Sequence, residues 1–165
     1  MIVVSDTSPI RALAFLGQLA VLEKLFAVVI IPPAVADELC NPARLAPGES
    51  PADLSLFPFI EIKMPIGQAR VAKFAEELDR GESEAIVLAH ELGCPAILMD
   101  ENAGREVAMR EGLVPLGTAG ILLRPKGAGF LTEVRPLLDR LVRELGFFVA
   151  ESLRRNILEQ AGEAS

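Results

Sequence analysis

Four carboxylates are placed so that a folded chain could bring them to one ion. Asp6 and Asp100 each follow directly on an apolar run of strand length, Ile2-Val3-Val4-Ser5 and Ala96-Ile97-Leu98-Met99. Glu38 lies in Pro33-Ala34-Val35-Ala36-Asp37-Glu38-Leu39, three and four residues after Val35 and Ala34, on their side of a helix. Glu82 precedes Ser83-Glu84-Ala85-Ile86 and shares a helical face with Ala85, Ile86 and Ala89, which aims it at a sheet. In an open parallel sheet, ligands bind beyond the carboxyl ends of the strands, where such acids would meet. Two carboxylates 4 Å apart repel by about 4 kcal/mol at an effective dielectric near 20, so protons or cations must relieve the cluster. All-oxygen donors select hard ions, Mg²⁺ or Mn²⁺, over zinc. Such ions lower the pKa of bound water and stabilise charge on a phosphoryl group, the chemistry of metal-dependent phosphodiester hydrolysis.

Other chemistries are poorly supplied. His90 is the only histidine, and Cys40 and Cys94 form no CxxC pair, which removes most Ser-His-Asp, Cys-His and zinc designs. His90 reads as a packed or half-exposed helix residue. Each acid also has a plainer reading. Asp6 could cap a helix, although Ser8-Pro9 already offers a cap residue followed by proline at the first helical position. Asp100 could cap the helix after it, and Glu38 could be a partly exposed acid on a short amphipathic helix. Glu82 could serve the helix dipole alone. Glu84 competes with Glu82 for the same role.

The elements that must position these acids follow from periodicity. Strands are expected at 2–5, 28–31, 95–99 and 114–116, with a weaker one near 59–63. Helices are expected at about 9–16, 18–26, 33–40, 67–79, 82–93, 101–112, 118–124, 132–145 and 150–161. Strand-length runs alternating with helical ones define an α/β chain with a mostly parallel sheet. Residues 41–58 carry four prolines without periodicity and read as a loop. In the C-terminal helices, Leu137, Leu138, Leu141 and Leu145 form a stripe suited to core or dimer packing.

The chain has 165 residues, 51% of them hydrophobic, enough for one domain with a full core over 1–165. No apolar run approaches the roughly 20 residues of a membrane span, and Met1-Ile2-Val3-Val4 has no basic leader, so a cytoplasmic, membrane-free protein is expected. The net charge of −7 argues against coating nucleic acid by bulk electrostatics. Residues 103–143, however, hold seven basic and four acidic side chains. Arg105, Lys126 and Arg11 are expected to border the acidic cleft.

The stretches SDTSPI at 5–10, IPPAVADEL at 31–39, GESEAIVLAHELG at 81–93, ILMDENAGREVA at 97–108 and PLGTAGILL at 115–123 resemble the PIN-domain family. These are compact metal-dependent nucleases that include VapC-type toxins of toxin–antitoxin pairs. The helical remainder is similar to one PIN-like subfamily, so the resemblance covers nearly the whole chain. It implies a three-layer α/β/α fold with a central parallel five-stranded sheet. It further implies that Asp6, Glu38, Glu82 and Asp100 bind one or two Mg²⁺ or Mn²⁺ ions and hydrolyse single-stranded RNA. Two positions depart from the family pattern: Leu98 stands where many members have Thr or Ser, and Glu82 where Asp is common. The partners expected are single-stranded RNA, a small antitoxin protein and a second copy of the chain. A different class of function, a PIN-like binding module with mutable acids acting through a protein partner, is separated from this one by cleavage activity. A haloacid-dehalogenase-like reading fails because Asp6-Thr7-Ser8 lacks the second aspartate two residues on.

Overall fold

The apolar runs form the middle of a sheet because they are buried on both faces. The structure, a computed structural model, describes residues 1–129 and 131–163. Strands β1 (Ile2–Ser5), β2 (Val28–Ile31), β3 (Ile60–Ile62), β4 (Ala96–Leu98) and β5 (Val114–Leu116) make one sheet in the order β3-β2-β1-β4-β5. Every neighbouring pair is parallel, with Val3 opposite Val29 and Ser5 opposite Leu98. The helices are α1 (Thr7–Phe15), α2 (Val21–Leu25), α3 (Pro33–Cys40), α4 (Gln68–Phe74), α5 (Arg80–Glu91), α6 (Asn102–Arg110), α7 (Thr118–Gly127), α8 (Arg135–Glu144) and α9 (Glu151–Gln160).

Strand alternation divides the core into two layers. Val3, Val29, Ile31 and Leu98 pack with α1, α2, α3, α7, α8 and α9, while Val4, Ile30, Ile97 and Met99 pack with α4, α5 and α6. The fold is the three-layer α/β/α arrangement. None of its described helices is long and apolar enough to cross a membrane. Leu138 and Leu141 of the C-terminal stripe are buried, and Leu137 and Leu145 pack against them, so that stripe closes the core.

Several boundaries differ from the periodicity. Helix α1 starts at Thr7 with Asp6 in the N-cap position, so Ser8 is not the cap and Pro9 is the third helical residue. Helix α4 stops at Phe74 instead of running to residue 79, because only Val71 and Phe74 meet the core on its short face. Helix α5 begins two residues early, at Arg80, where Asp79 and Glu82 form a reciprocal capping box. The proline-rich segment holds two 3-10 turns, Pro42–Arg44 and Leu54–Leu56, capped by the side chains of Asn41 and Asp53.

The strand order reverses at β1, whose neighbours β2 and β4 lie to either side. That reversal leaves a crevice beyond the ends of β1 and β4. The Asp6 N–H donates to the Leu98 carbonyl at 2.9 Å, which fixes Asp6 at the mouth of the crevice.

Candidate active site

Asp6 occupies an N-cap position without spending its carboxylate on a cap bond. It is only 4% exposed, no basic side chain offsets it among the described residues, and its neighbour Thr7 buries a hydroxyl that has no partner there. Burial pushes the Asp6 carboxyl up to about 8; the Thr7 N–H opposes the shift, and Asp79, Glu82 and Glu38 add to it by repulsion.

Glu38 reaches the same place from α3. The lack of a side chain at Gly81 lets the start of α5 approach both acids. A methyl group at Gly81 would lie 3.1 Å from Glu38 Oε1 and 3.3 Å from Asp6 Oδ1, so the two oxygens converge on one point. Glu82, the next residue, is buried at 5% exposure. Its Oε2 accepts from the Asp79 N–H at 3.1 Å, and its Oε1 lies 2.9 Å from where a Gly104 methyl would be. Burial raises its pKa, with repulsion from Asp79, Glu101 and Glu38 adding and the Asp79 N–H opposing.

Asp100 is engaged elsewhere. Its Oδ1 accepts from the Thr118 N–H at 2.7 Å and its Oδ2 from the Thr118 hydroxyl at 2.6 Å, so it caps α7. Arg105, which also donates to the Met99 carbonyl at 2.9 Å, lies beside it. Burial raises the Asp100 pKa, while Thr118 and Arg105 hold it down. Leu98 points into the core, fully buried, and the hydroxyl beside Asp100 comes from Thr118. Glu84 is buried too, but its Oε2 accepts from the Ala34 N–H at 3.1 Å and its Oε1 pairs with Arg80 at 2.9 Å. It satisfies the exposed N-terminus of α3 and leaves Glu82 facing the other acids.

Asp6, Glu38 and Glu82 therefore lie within electrostatic reach of one another, and Asp100 faces Thr118. Asp79 and Glu101 are neighbours the sequence reading missed. The spacing of Asp79 and Glu82 in DRGE does carry a capping signal. Glu101 has no signal apart from following Asp100.

Among the described residues, no three His, Cys, Asp or Glu side chains stand as ligands to one ion in this conformation. The donor chemistry nevertheless fits a hard cation: two carboxylate oxygens lie within 3.3 Å of one position beside Gly81, a third acid is adjacent, and among the described residues Asp6 is buried without a positive partner. Three arginines rim the pocket. Arg44 Nη2 is 3.8 Å from Glu38 Oε1, Arg11 Nη2 donates to the Glu38 carbonyl, and Arg105 flanks Asp100. Lys126 is committed to Glu163 and the Thr132 carbonyl.

A parallel sheet between two helical layers, with buried acids at its reversal point, defines an α/β domain with a carboxylate-lined site. The chain belongs to the PIN-domain family: the family model DUF3368, described as a PIN domain, matches residues 2–163. PIN domains are generally nucleases and usually employ divalent metals. No curated protein matches the chain.

Proposed function

We propose that the protein is a Mg²⁺- or Mn²⁺-dependent endoribonuclease acting on single-stranded RNA. The observation that carries this reading is the convergence of Asp6 Oδ1 and Glu38 Oε1 above Gly81, next to buried Glu82. Asp6 and Glu38 would hold the ion, with Glu82 joining directly or through water, and Asp100 would act through water while it keeps its bonds to Thr118. A bound divalent ion supplies an acidified water and stabilises charge on the phosphoryl group. The protein's part is to hold Asp6 ionised only when a cation is present, to exclude bulk water from its carboxylate and to orient RNA phosphates with Arg44, Arg11 and Arg105. The biological setting of such an activity would be the toxin of a toxin–antitoxin pair, and a small antitoxin-like reading frame beside the gene would support it.

The test is cleavage of an end-labelled single-stranded RNA with Mn²⁺, comparing the parent with Asp6→Asn. The amide keeps the shape and removes the charge, so cleavage is expected to fall by at least about a hundredfold with the fold intact by circular dichroism. Equal cleavage by the two proteins would remove Asp6 from the site.

The arginine rim is checked by affinity at low salt. Arg44→Glu and Arg105→Glu are each expected to weaken RNA binding and to lower the salt dependence by about one counterion. Lys126→Glu is expected to leave affinity unchanged, because Lys126 serves Glu163.

A further inference from the structure

The two edges of the sheet are protected unequally. β5 carries Pro115, which has no N–H to offer a neighbour. β3 has no proline within Ile60–Ile62, and Lys63 just beyond it still donates its N–H to the Ile31 carbonyl at 3.0 Å. The Val29 N–H donates to the Phe59 carbonyl and the Lys63 N–H to the Ile31 carbonyl, so the odd-numbered residues turn their backbone groups toward β2. By alternation, Ile60 and Ile62 turn theirs away from the sheet. The Ile60 N–H is already taken by the Phe57 carbonyl at 2.9 Å.

This edge is also apolar. Ile62 is 57% exposed, Met64 67% and Ile66 89%. The segment after the strand is held in place, since the N–H groups of Ile66 and Gly67 both donate to the Glu91 carboxylate, at 3.0 and 2.7 Å. An exposed isoleucine on a tethered backbone loses little entropy when it is covered.

We propose that β3 pairs antiparallel with β3 of a second copy of this chain, about a twofold axis through Ile62, to make one sheet across two protomers. The sequence around Ile62 is self-complementary in that register. Ile60 falls opposite Met64, Ile62 opposite itself, and Glu61 opposite Lys63 of the other copy, twice by symmetry. Glu61 and Lys63 are both exposed and lie on the face opposite Ile62. In this pairing Ile62 exchanges both of its backbone bonds with its symmetry mate, and the Met64 N–H meets the Ile60 carbonyl that β2 does not use. The Glu61–Lys63 positions become the closely spaced, non-hydrogen-bonded pair, where opposite charges attract and like charges repel. A lone lysine would guard this edge against pairing; the glutamate two residues before it turns the guard into a match for another copy.

Charge exchange tests this with the full-length chain. Sedimentation equilibrium at micromolar concentration is expected to find the parent at twice 17.7 kDa. Glu61→Lys and Lys63→Glu alone each place like charges opposite one another at both symmetric sites, and each is expected to raise the dimer Kd by about ten- to a hundredfold. An equimolar mixture of the two single variants, and the double variant with both changes, restore opposite charges and should recover the dimer. That recovery also shows that the single variants are folded. A monomeric parent, a dimer indifferent to either single change, or a mixture that stays monomeric would each overturn the proposal; the second would place the contact on another face, and the third would exclude the register that sets Glu61 opposite Lys63.

Discussion

At the scale of the residue, burial sets the behaviour of the acids before any ion is present. The Asp6 carboxyl, pushed up to about 8 from an ordinary 3.8, binds a proton in the folded chain over a range where the unfolded chain has lost it. The stability this contributes is complete below the unfolded value and is lost as pH rises through the folded one. The metal-free parent is therefore expected to weaken from about pH 4 to pH 8, and Asp6→Asn to flatten that decline, as measured by thermal denaturation across pH. If the two profiles run parallel, Asp6 does not titrate in this way. Glu84 behaves differently, because its carboxylate answers the Ala34 N–H and Arg80. Glu84→Ala leaves a backbone donor without its partner and should cost about 1–3 kcal/mol, read as a lower melting temperature. Cleavage by the folded fraction should be retained.

At the scale of the element, close approach of helix ends depends on what is missing at two glycines. Gly81 brings α5 against Asp6 and Glu38, and Gly104 brings α6 against Glu82. A methyl at Gly104 would lie 2.6 Å from the Met99 sulfur, and Met99 is fully buried with little room to move. Gly104→Ala is expected to cost about 1–3 kcal/mol through overpacking and to weaken Mn²⁺ binding by displacing Glu82. Calorimetry with Mn²⁺ reads the second effect apart from the first; unchanged affinity would show that Glu82 need not stay where it is. The junction of β4 and α7 rests on Thr118, whose N–H and hydroxyl both serve Asp100. Thr118→Val keeps the shape and removes the hydroxyl, at an expected cost of about 1.5–3 kcal/mol for a bond to a charged group.

Across the whole molecule, two carboxylates at opposite ends of the chain give opposite responses to acid. Burial tends to raise the Glu163 carboxyl, but the N–H groups of Val134 and Arg135 and the Lys126 ammonium outweigh it and hold the pKa below 4.5. Its bonds fasten the end of the chain to the start of α8, and the stability they contribute is present above the unfolded pKa and lost as pH falls through the folded one. With Asp6 weakening the fold toward alkaline pH, the metal-free protein should be most stable in mildly acidic solution. Saturating Mn²⁺ is expected to move that optimum upward, because the ion binds the deprotonated acids and stabilises the folded state by mass action.

Much of this was legible in the chain itself. The runs at 2–5, 28–31 and 95–99 are apolar at nearly every position, which only strands buried on both faces require, and the alternation with helices leaves a parallel sheet as the economical answer. Asp6 and Asp100 had to emerge at strand ends because each directly follows such a run. Tertiary structure alone decided where the carboxylates face. Asp100 turns to a backbone N–H 18 residues further on, Glu84 to one 50 residues back, and Asp79, at the start of α5, comes within electrostatic reach of Asp6. A carboxylate goes to whichever donor or cation lies within about 3 Å, and sequence spacing does not encode which distant N–H groups the fold will bring that close.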